Sequence, residues 1–298
     1  MHDHHADSSP NRSEPYMNRR QSNRRQRYRT IWISDVHLGT REAKAPFLLD
    51  FLRHHLADRL YLVGDMFDGW ALRRSWYWPA SHNDVLQALL RRARSGTEIT
   101  YIPGNHDEAA RSFPGLDFGG IIVQSQAMHT TADGRELLIL HGDEFDGVVR
   151  HARWLSLLGA VAYSGILKLN RHVNRVRRWF DLPYWSLSAY LKHKTKRAVQ
   201  FIADFEQAVA REAREQGVDG VVCGHIHHAE MRSIDGVLYA NTGDWVESCT
   251  ALVEHLDGRL DIIRWTPASH EREALTESLQ SRGDGYAQGV SVDVQPAI

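Results

Sequence analysis

Five short polar stretches carry the side chains able to do chemistry: DVH (Asp35, His37), GDMFD (Asp65, Asp68), GNHD (Asn105, His106, Asp107), HGD (His141, Asp143) and GHIH (His225, His227). Each directly follows an apolar run. A lone DxH or GD after such a run is commonplace, but five in this order are not expected by chance. Together they offer about seven oxygen and nitrogen donors of mixed carboxylate, carboxamide and imidazole type. That mixture suits borderline divalent ions such as Mn²⁺, Fe²⁺ or Zn²⁺ better than Ca²⁺ or Mg²⁺. It is too many for one open catalytic ion and enough for two that share a carboxylate.

Such donors need a scaffold that brings distant loops together. TIWIS (30–34), RLYLV (59–63) and EITYI (98–102) read as short strands, and APFLLDFLRHHL (45–56) and NDVLQALLRRAR (83–94) have the spacing of amphipathic helices. Strand, helix, strand, helix, strand predicts an α/β fold whose sheet carries helices on both faces. In such a sheet functional groups gather outside the carboxyl ends of the strands, where all five stretches lie. His54 and His55 fall on the first predicted helix and are expected at its surface. After the third strand, Asp-Gly turns at 133–134 and 257–258 predict hairpins and a mixed or antiparallel second half.

The formal net charge of −1 hides an asymmetry. Residues 150–200 hold eleven Lys and Arg against one acidic residue, and residues 1–29 hold seven against three. An acidic body with a basic insertion predicts bound cations in the first and an anionic partner under the second. Residues 1–29 lack apolar periodicity and read as a disordered basic arm, and 266–298 as a flexible tail. Cys223 and Cys249 lack metal-type spacing and fit a reducing compartment. No apolar N-terminal segment marks the chain for secretion, so a cytoplasmic location is expected. The apolar run at 154–169 contains Lys168 and falls short of the ~20 residues that cross a bilayer. It suits contact with a membrane, not a span.

The ordered set DxH, GDxxD, GNHD, a later histidine and GHxH resembles the calcineurin-like metallophosphoesterases over roughly residues 30–265. The resemblance implies a four-layer α/β sandwich of the metallophosphoesterase type, with a helical cap inserted at about 148–200. It implies two divalent ions, manganese first, with Fe²⁺ or Zn²⁺ as alternatives. Asp35, His37 and His227 would hold one, Asn105, His141 and His225 the other, and Asp65 would bridge them. His106 would stand beside the substrate with Asp107 orienting its ring, while Asp68 and Asp143 would orient ligands. Two ions ~3.5–4 Å apart neutralise a phosphoryl group and generate hydroxide near pH 7, so that a bridging hydroxide could attack phosphorus directly.

The insertion mixes an apolar first segment with Arg171, Arg175, Arg177, Arg178, Lys192 and Lys196, which suits a ligand greasy at one end and anionic at the other. Trp70, Trp76 and Trp78, with Arg73 and Arg74, add aromatic contact after GDMFD. Asn105, His106, Arg73, Arg178, Lys192 and Lys196 are the candidate substrate contacts. Within the superfamily this combination is most similar to the UDP-2,3-diacylglucosamine diphosphatases of lipid A synthesis, which work at the cytoplasmic face of the inner membrane. That likeness implies an amphipathic pyrophosphate substrate, peripheral membrane contact and no stable nucleic-acid partner. Two positions depart from the subfamily: His106 stands where it has Arg, and Asp68 where it often has Glu. The competing readings are a phosphodiesterase or nuclease of other specificity, and a non-catalytic peripheral membrane protein.

Overall fold

The computed structural model describes residues 25–147 and 196–266. In chain order these form β1 (Gln26–Ile33), α1 (Ala45–His54), β2 (His55–Val63), α2 (Gly69–Arg74), α3 (Ala80–Arg94), β3 (Glu98–Ile102) and β4 (Ile121–Val123). There follow β5 (Ala127–Thr130), β6 (Glu136–Ile139), α4 (Lys196–Glu215), β7 (Gly220–Cys223), β8 (Glu230–Ile234), β9 (Val237–Asn241), β10 (Thr250–Glu254) and β11 (Leu260–Arg264). One sheet has the order β11-β10-β1-β2-β3-β4 and the other β5-β6-β7-β9-β8. β1 to β4 are mutually parallel, as are β6, β7 and β9, with antiparallel strands at the edges of both sheets.

Side-chain alternation explains the layering. Along β1, Ile31 and Ile33 enter the core shared with α1 and α3, while Trp32 points to the opposite face. On β2, Leu60 and Leu62 divide from Tyr61 and Val63 in the same way. The second sheet mirrors this: Leu138, Val221 and Cys223 pack under α4, and Leu137, Ile139 and Val222 face Trp32 and Tyr61. A strand with apolar residues at both parities must be covered on both faces. The result is helix, sheet, sheet, helix, the four-layer sandwich implied by the resemblance. The helices-on-both-faces arrangement read from the first three strands does not form, because the second sheet covers the face that helices were expected to cover.

Two local expectations also change. β1 begins at Gln26, so the last residues of the expected 1–29 arm are strand. α1 stops at His54 and His55 opens β2, buried at 2% exposure with its Nδ1 2.9 Å from Phe51 O, not at the surface. The expected tail and all but the end of the expected insertion lie outside the described residues, including Arg178 and Lys192; Lys196 is the first residue of α4. Among the described residues no helix is long and apolar enough to cross a membrane.

Candidate metal centre

β1, β2, β3, β6 and β7 end at Ile33, Val63, Ile102, Ile139 and Cys223, each within a few residues of a predicted donor. The first two loops are zipped together, Asp35 N donating to Gly64 O (3.1 Å) and His37 N to Asp65 O (2.9 Å). Asp35, His37, Asp65, His225 and His227 all have positive φ, at 52°, 52°, 51°, 70° and 53°. Non-glycine residues adopt this left-handed conformation at a cost, and it concentrates where function over-determines the backbone. Five expected donors sharing it is a property of the site.

Two groups of donors meet at the Asp35 and Asp65 carboxylates. Asp35 Oδ1 lies 3.2 Å from His227 Nε2 and 3.9 Å from His37 Nε2. Asp65 Oδ2 faces His37 Nε2 at 3.7 Å, and Asp65 Oδ1 faces His141 Nε2 at 3.5 Å. The rings of His141 and His225 are 5.2 Å apart. Single atoms from Asp35, His37 and His227 all fall within 4.8 Å of one another, as do atoms from Asp35, Asp65 and His141.

The outer hydrogen bonds aim the inner atoms. His141 Nδ1 is 3.0 Å from Val63 O, His225 Nε2 is 2.8 Å from Asp146 Oδ1, and His37 Nδ1 is 3.3 Å from Asp68 Oδ2. In each ring the other nitrogen is left for the centre, the usual arrangement of a ligating histidine. Asp35 Oδ1, Asn105 Oδ1, His141 Nε2 and His225 Nδ1 are buried with no hydrogen-bond partner. An unmet buried polar atom costs about 1–3 kcal/mol. Four of them at expected donor positions are what a site shaped for divalent ions requires, so these residues fit the ions their chemistry suggests.

Charge compensation is strong. Burial alone would raise the Asp35 carboxyl, but the His227 and His141 charges hold it at about 2. Burial would likewise raise Asp65, yet His141, His37 and His106 keep it well below the carboxylate range. Against burial, Asp68, Asp65 and Asp35 raise His37 to about 9, and Asp65 raises His141 well above the imidazole range. Ion uptake displaces such protons, so loading is coupled to proton release.

Gly104 shows how little room the backbone leaves. A Cβ there would lie 2.6 Å from His141 Nε2 and against Asp65 Oδ1. Gly104→Ala is expected to cut metal content and turnover by roughly 10²-fold while the fold persists, the order of loss seen when the shell around a metal is disturbed. Metal analysis beside circular dichroism checks this; full loading would refute the crowding argument.

Contacts correct the expected roles of Asp107 and Asp143, and give Asp68 a second partner beside His37. Asp107 does not orient His106: its Oδ1 accepts from Gly104 N (2.5 Å) and its Oδ2 from Met66 N (2.7 Å) and Phe67 N (3.2 Å), pinning two loops. Asp68 lies there instead, its Oδ2 3.1 Å from His106 Nδ1, and it also caps α2 through Ala71 N (2.7 Å). Asp143 pairs with Arg111 (Oδ2 to Nη1, 3.0 Å), and the ligand-orienting carboxylate of that loop is Asp146. Asp68→Asn should therefore lower kcat ten- to a hundredfold with a smaller change in KM, since a charged partner orients an imidazole better than an amide. Steady-state kinetics showing unchanged kcat would count against the pairing.

His106 stands at the edge, Nε2 3.9 Å from Asp65 Oδ2 and its ring 4.1 Å from the half-exposed indole of Trp70. With Trp70, Phe67 and Arg73 it lines a cavity of about 250 Å³, which places Arg73 near the site. A sixth loop, NTGDW (241–245), outside the five donor stretches, also braces the centre. It follows β9, Asn241 Nδ2 donates to Gly224 O (2.6 Å), Thr242 Oγ1 meets Ser34 Oγ (2.5 Å), and Trp245 N donates to Asp35 O (3.0 Å). Its signal was the same apolar run ending in polar residues and glycine.

The calcineurin-like phosphoesterase family model matches residues 28–229. A UDP-2,3-diacylglucosamine hydrolase of Porphyromonas gingivalis is 25% identical over 251 residues, 74% of this chain and 91% of its own. One from Chromohalobacter salexigens is 27% identical over 237 residues, 72% and 88% of the two chains. Among solved structures, wild-type Vps29 from Entamoeba histolytica, complexed with zinc, aligns with 79% of this chain and 97% of its own, at 14% identity and a TM-score of 0.35. With a family match over most of the described residues and the donor set brought together at the strand ends, the chain belongs to the calcineurin-like phosphoesterase family and is a metal-dependent hydrolase.

Proposed function

We propose that this enzyme hydrolyses the pyrophosphate of a nucleotide-linked, acylated sugar resembling UDP-2,3-diacylglucosamine, at the cytoplasmic face of a membrane. The observation that carries the hydrolytic part is the Asp65 carboxylate, whose two oxygens face the two halves of a donor set rich in unpartnered buried atoms. The relatives' named activity supports the substrate class. When bound, a pair of divalent ions, Mn²⁺ first, supplies charge neutralisation at phosphorus and a hydroxide nucleophile near neutral pH. Asp35, His37, His227 and Asp65 would hold one, and Asp65, Asn105, His141 and His225 the other.

The chain's own groups do the rest. Asp65 and Asp35 stay ionised against burial and so favour cations. His106, backed by Asp68, gives a proton to the leaving oxygen or steadies charge on the phosphoryl group. Trp70 and Arg73 offer a flat apolar face and a guanidinium beside it. Water adds its oxygen to one phosphorus, and its proton balances the oxygen released, so the products are UMP and an acylated sugar phosphate.

The test is turnover of UDP-2,3-diacylglucosamine and of bis-p-nitrophenyl phosphate by Mn²⁺-loaded, full-length protein. We expect kcat/KM for the nucleotide lipid to exceed that for the aryl diester by at least roughly 10²-fold, the return from binding remote parts of a true substrate. Aryl hydrolysis without cleavage of the lipid would overturn the substrate while leaving the hydrolase intact. Faster cleavage of a cyclic nucleotide or single-stranded RNA would transfer the assignment to those substrates.

A further inference from the structure

At the end of the first sheet opposite the metal loops, the described residues enclose a cavity of about 970 Å³ between the start of β1, the start of β2 and the last turns of α1 and α3. Seven arginines line it against three acidic side chains. Three of the seven are neutralised: Arg27 by Asp58 (2.6 Å), Arg59 by Glu98 (2.9 Å) and Arg29 by Glu254 (2.7 Å). Arg25, Arg53, Arg91 and Arg92 have no ion pair among the described residues, and Asp84 is the one lining carboxylate left over. Cations at helix C-termini are ordinary, which accounts for Arg53 and Arg91 being there. It does not account for Arg25, which approaches from the strand side and repels Arg92 across the cavity.

Arg92 is the more telling residue. Its Nη2 is held by Leu52 O and His55 O, which fixes the guanidinium, while its Nη1 is buried without a hydrogen-bond partner. Burial first, then the Arg25 charge, pushes its pKa down to about 10. A fixed, partly desolvated guanidinium in the wall of a cavity with uncompensated cations around it is built to be completed by an anion. Guanidinium forks match phosphate oxygens in pairs, and a multivalent phosphate would answer several at once. Among the described residues no aromatic side chain lines the cavity, so its described wall offers no platform on which bases could stack, and recognition runs through phosphate. The nine residues of β2 separate it from the metal loops by roughly 25 Å at ~3.3 Å per residue, so it cannot be part of the hydrolytic site.

We infer that this arginine-lined cavity is a second binding site, remote from the metal centre, for a multiply charged phosphate group. The shared chemistry is the phosphate cluster, whether on a free polyphosphate or on a lipid headgroup.

The experiment titrates inorganic tripolyphosphate into full-length wild type, Asp65→Ala, the Arg53→Ala/Arg91→Ala double variant and Arg92→Lys by calorimetry. Asp65→Ala disables the metal centre, so binding that survives it with an affinity within about threefold belongs elsewhere. The double variant, at exposed positions, should bind at least tenfold more weakly while hydrolysing the aryl diester at the wild-type rate. Arg92→Lys, which keeps the charge and loses the fork, should also weaken binding. Vesicles containing a phosphorylated phosphoinositide, compared with phosphatidylcholine alone, separate the sources: arginine-dependent capture of the former assigns the headgroup, and its absence alongside tripolyphosphate binding assigns the free anion. Equal affinity in wild type and the double variant, or loss of all binding in Asp65→Ala, would overturn the site. Preference for single-stranded RNA over tripolyphosphate at equal phosphate concentration would overturn the ligand class.

Discussion

Replacing Asp65 by alanine is expected to lower kcat/KM for any phosphoester substrate by at least roughly 10³-fold, about 4 kcal/mol of transition-state stabilisation. The magnitude follows from position. Asp65 is 2% exposed and lies 3.7 Å from His37 through one oxygen and 3.5 Å from His141 through the other, so its two oxygens face both halves. Its loss also removes the carboxylate that does most to compensate His141 and one of three that compensate His37. Metal content should fall with activity, and Asp65→Asn, which keeps the shape and removes the charge, should fare little better. Activity within tenfold of wild type in a variant verified as metal-loaded would refute the shared-carboxylate arrangement.

The largest expected stability effect lies elsewhere. Glu254 is wholly buried and accepts from Arg29 Nη1 (2.7 Å), Thr30 Oγ1 (2.7 Å) and Ala132 N (2.7 Å), with His129 Nε2 at 2.9 Å, so it ties β10, β1 and β5 together where the two sheets meet. Burial would raise its pKa, but His129, Thr30, the Ala132 amide and Arg29 bring it down from 4.5 to about 2. A carboxyl depressed on folding adds stability that is complete above its unfolded pKa of 4.5 and is lost as pH falls from there through about 2. The amount is about 3 kcal/mol. Glu254→Ala, which strands the Arg29 and His129 partners, should cost about 3–5 kcal/mol at pH 7. Urea unfolding at pH 7 and pH 3.5 tests both statements: the gap between wild type and Glu254→Gln should narrow at the lower pH. A pH-independent gap, or a loss under about 1 kcal/mol for alanine, would show that the network contributes little.

Much of the site was legible because the chain repeats one grammar. A short apolar run fixes a parallel strand, and polar residues at its carboxyl end have nowhere to go but the sheet's functional edge, so Asp35, Asp65, Asn105, His141 and His225 could be named from position alone. NTGDW obeys the same grammar but carries no histidine to mark it as part of the donor set. Partner choice was not legible. Asp68 and Asp107 are both short acids near His106, and only the fold decides that one meets the ring while the other receives three backbone amides. Layering was legible only in part, since Trp32 and Tyr61 between aliphatic neighbours show that both faces are covered without showing what covers them. His55 illustrates a boundary effect: the apolar spacing of α1 runs on in sequence, but the chain turns extended one residue after His54.

The donors are divided between the two sheets, with Asp35, His37, Asp65 and Asn105 following strands of the first and His141, His225 and His227 following strands of the second. The seam between them is held by side chains such as Trp32, Ile139 and Val222 and, among the described residues, has no continuous backbone ladder across it. Alignment of the centre is thus a matter of how the halves slide over one another. A thinned residue at that seam, far from any ligand, could leave each half intact and still put the catalytic parts out of register.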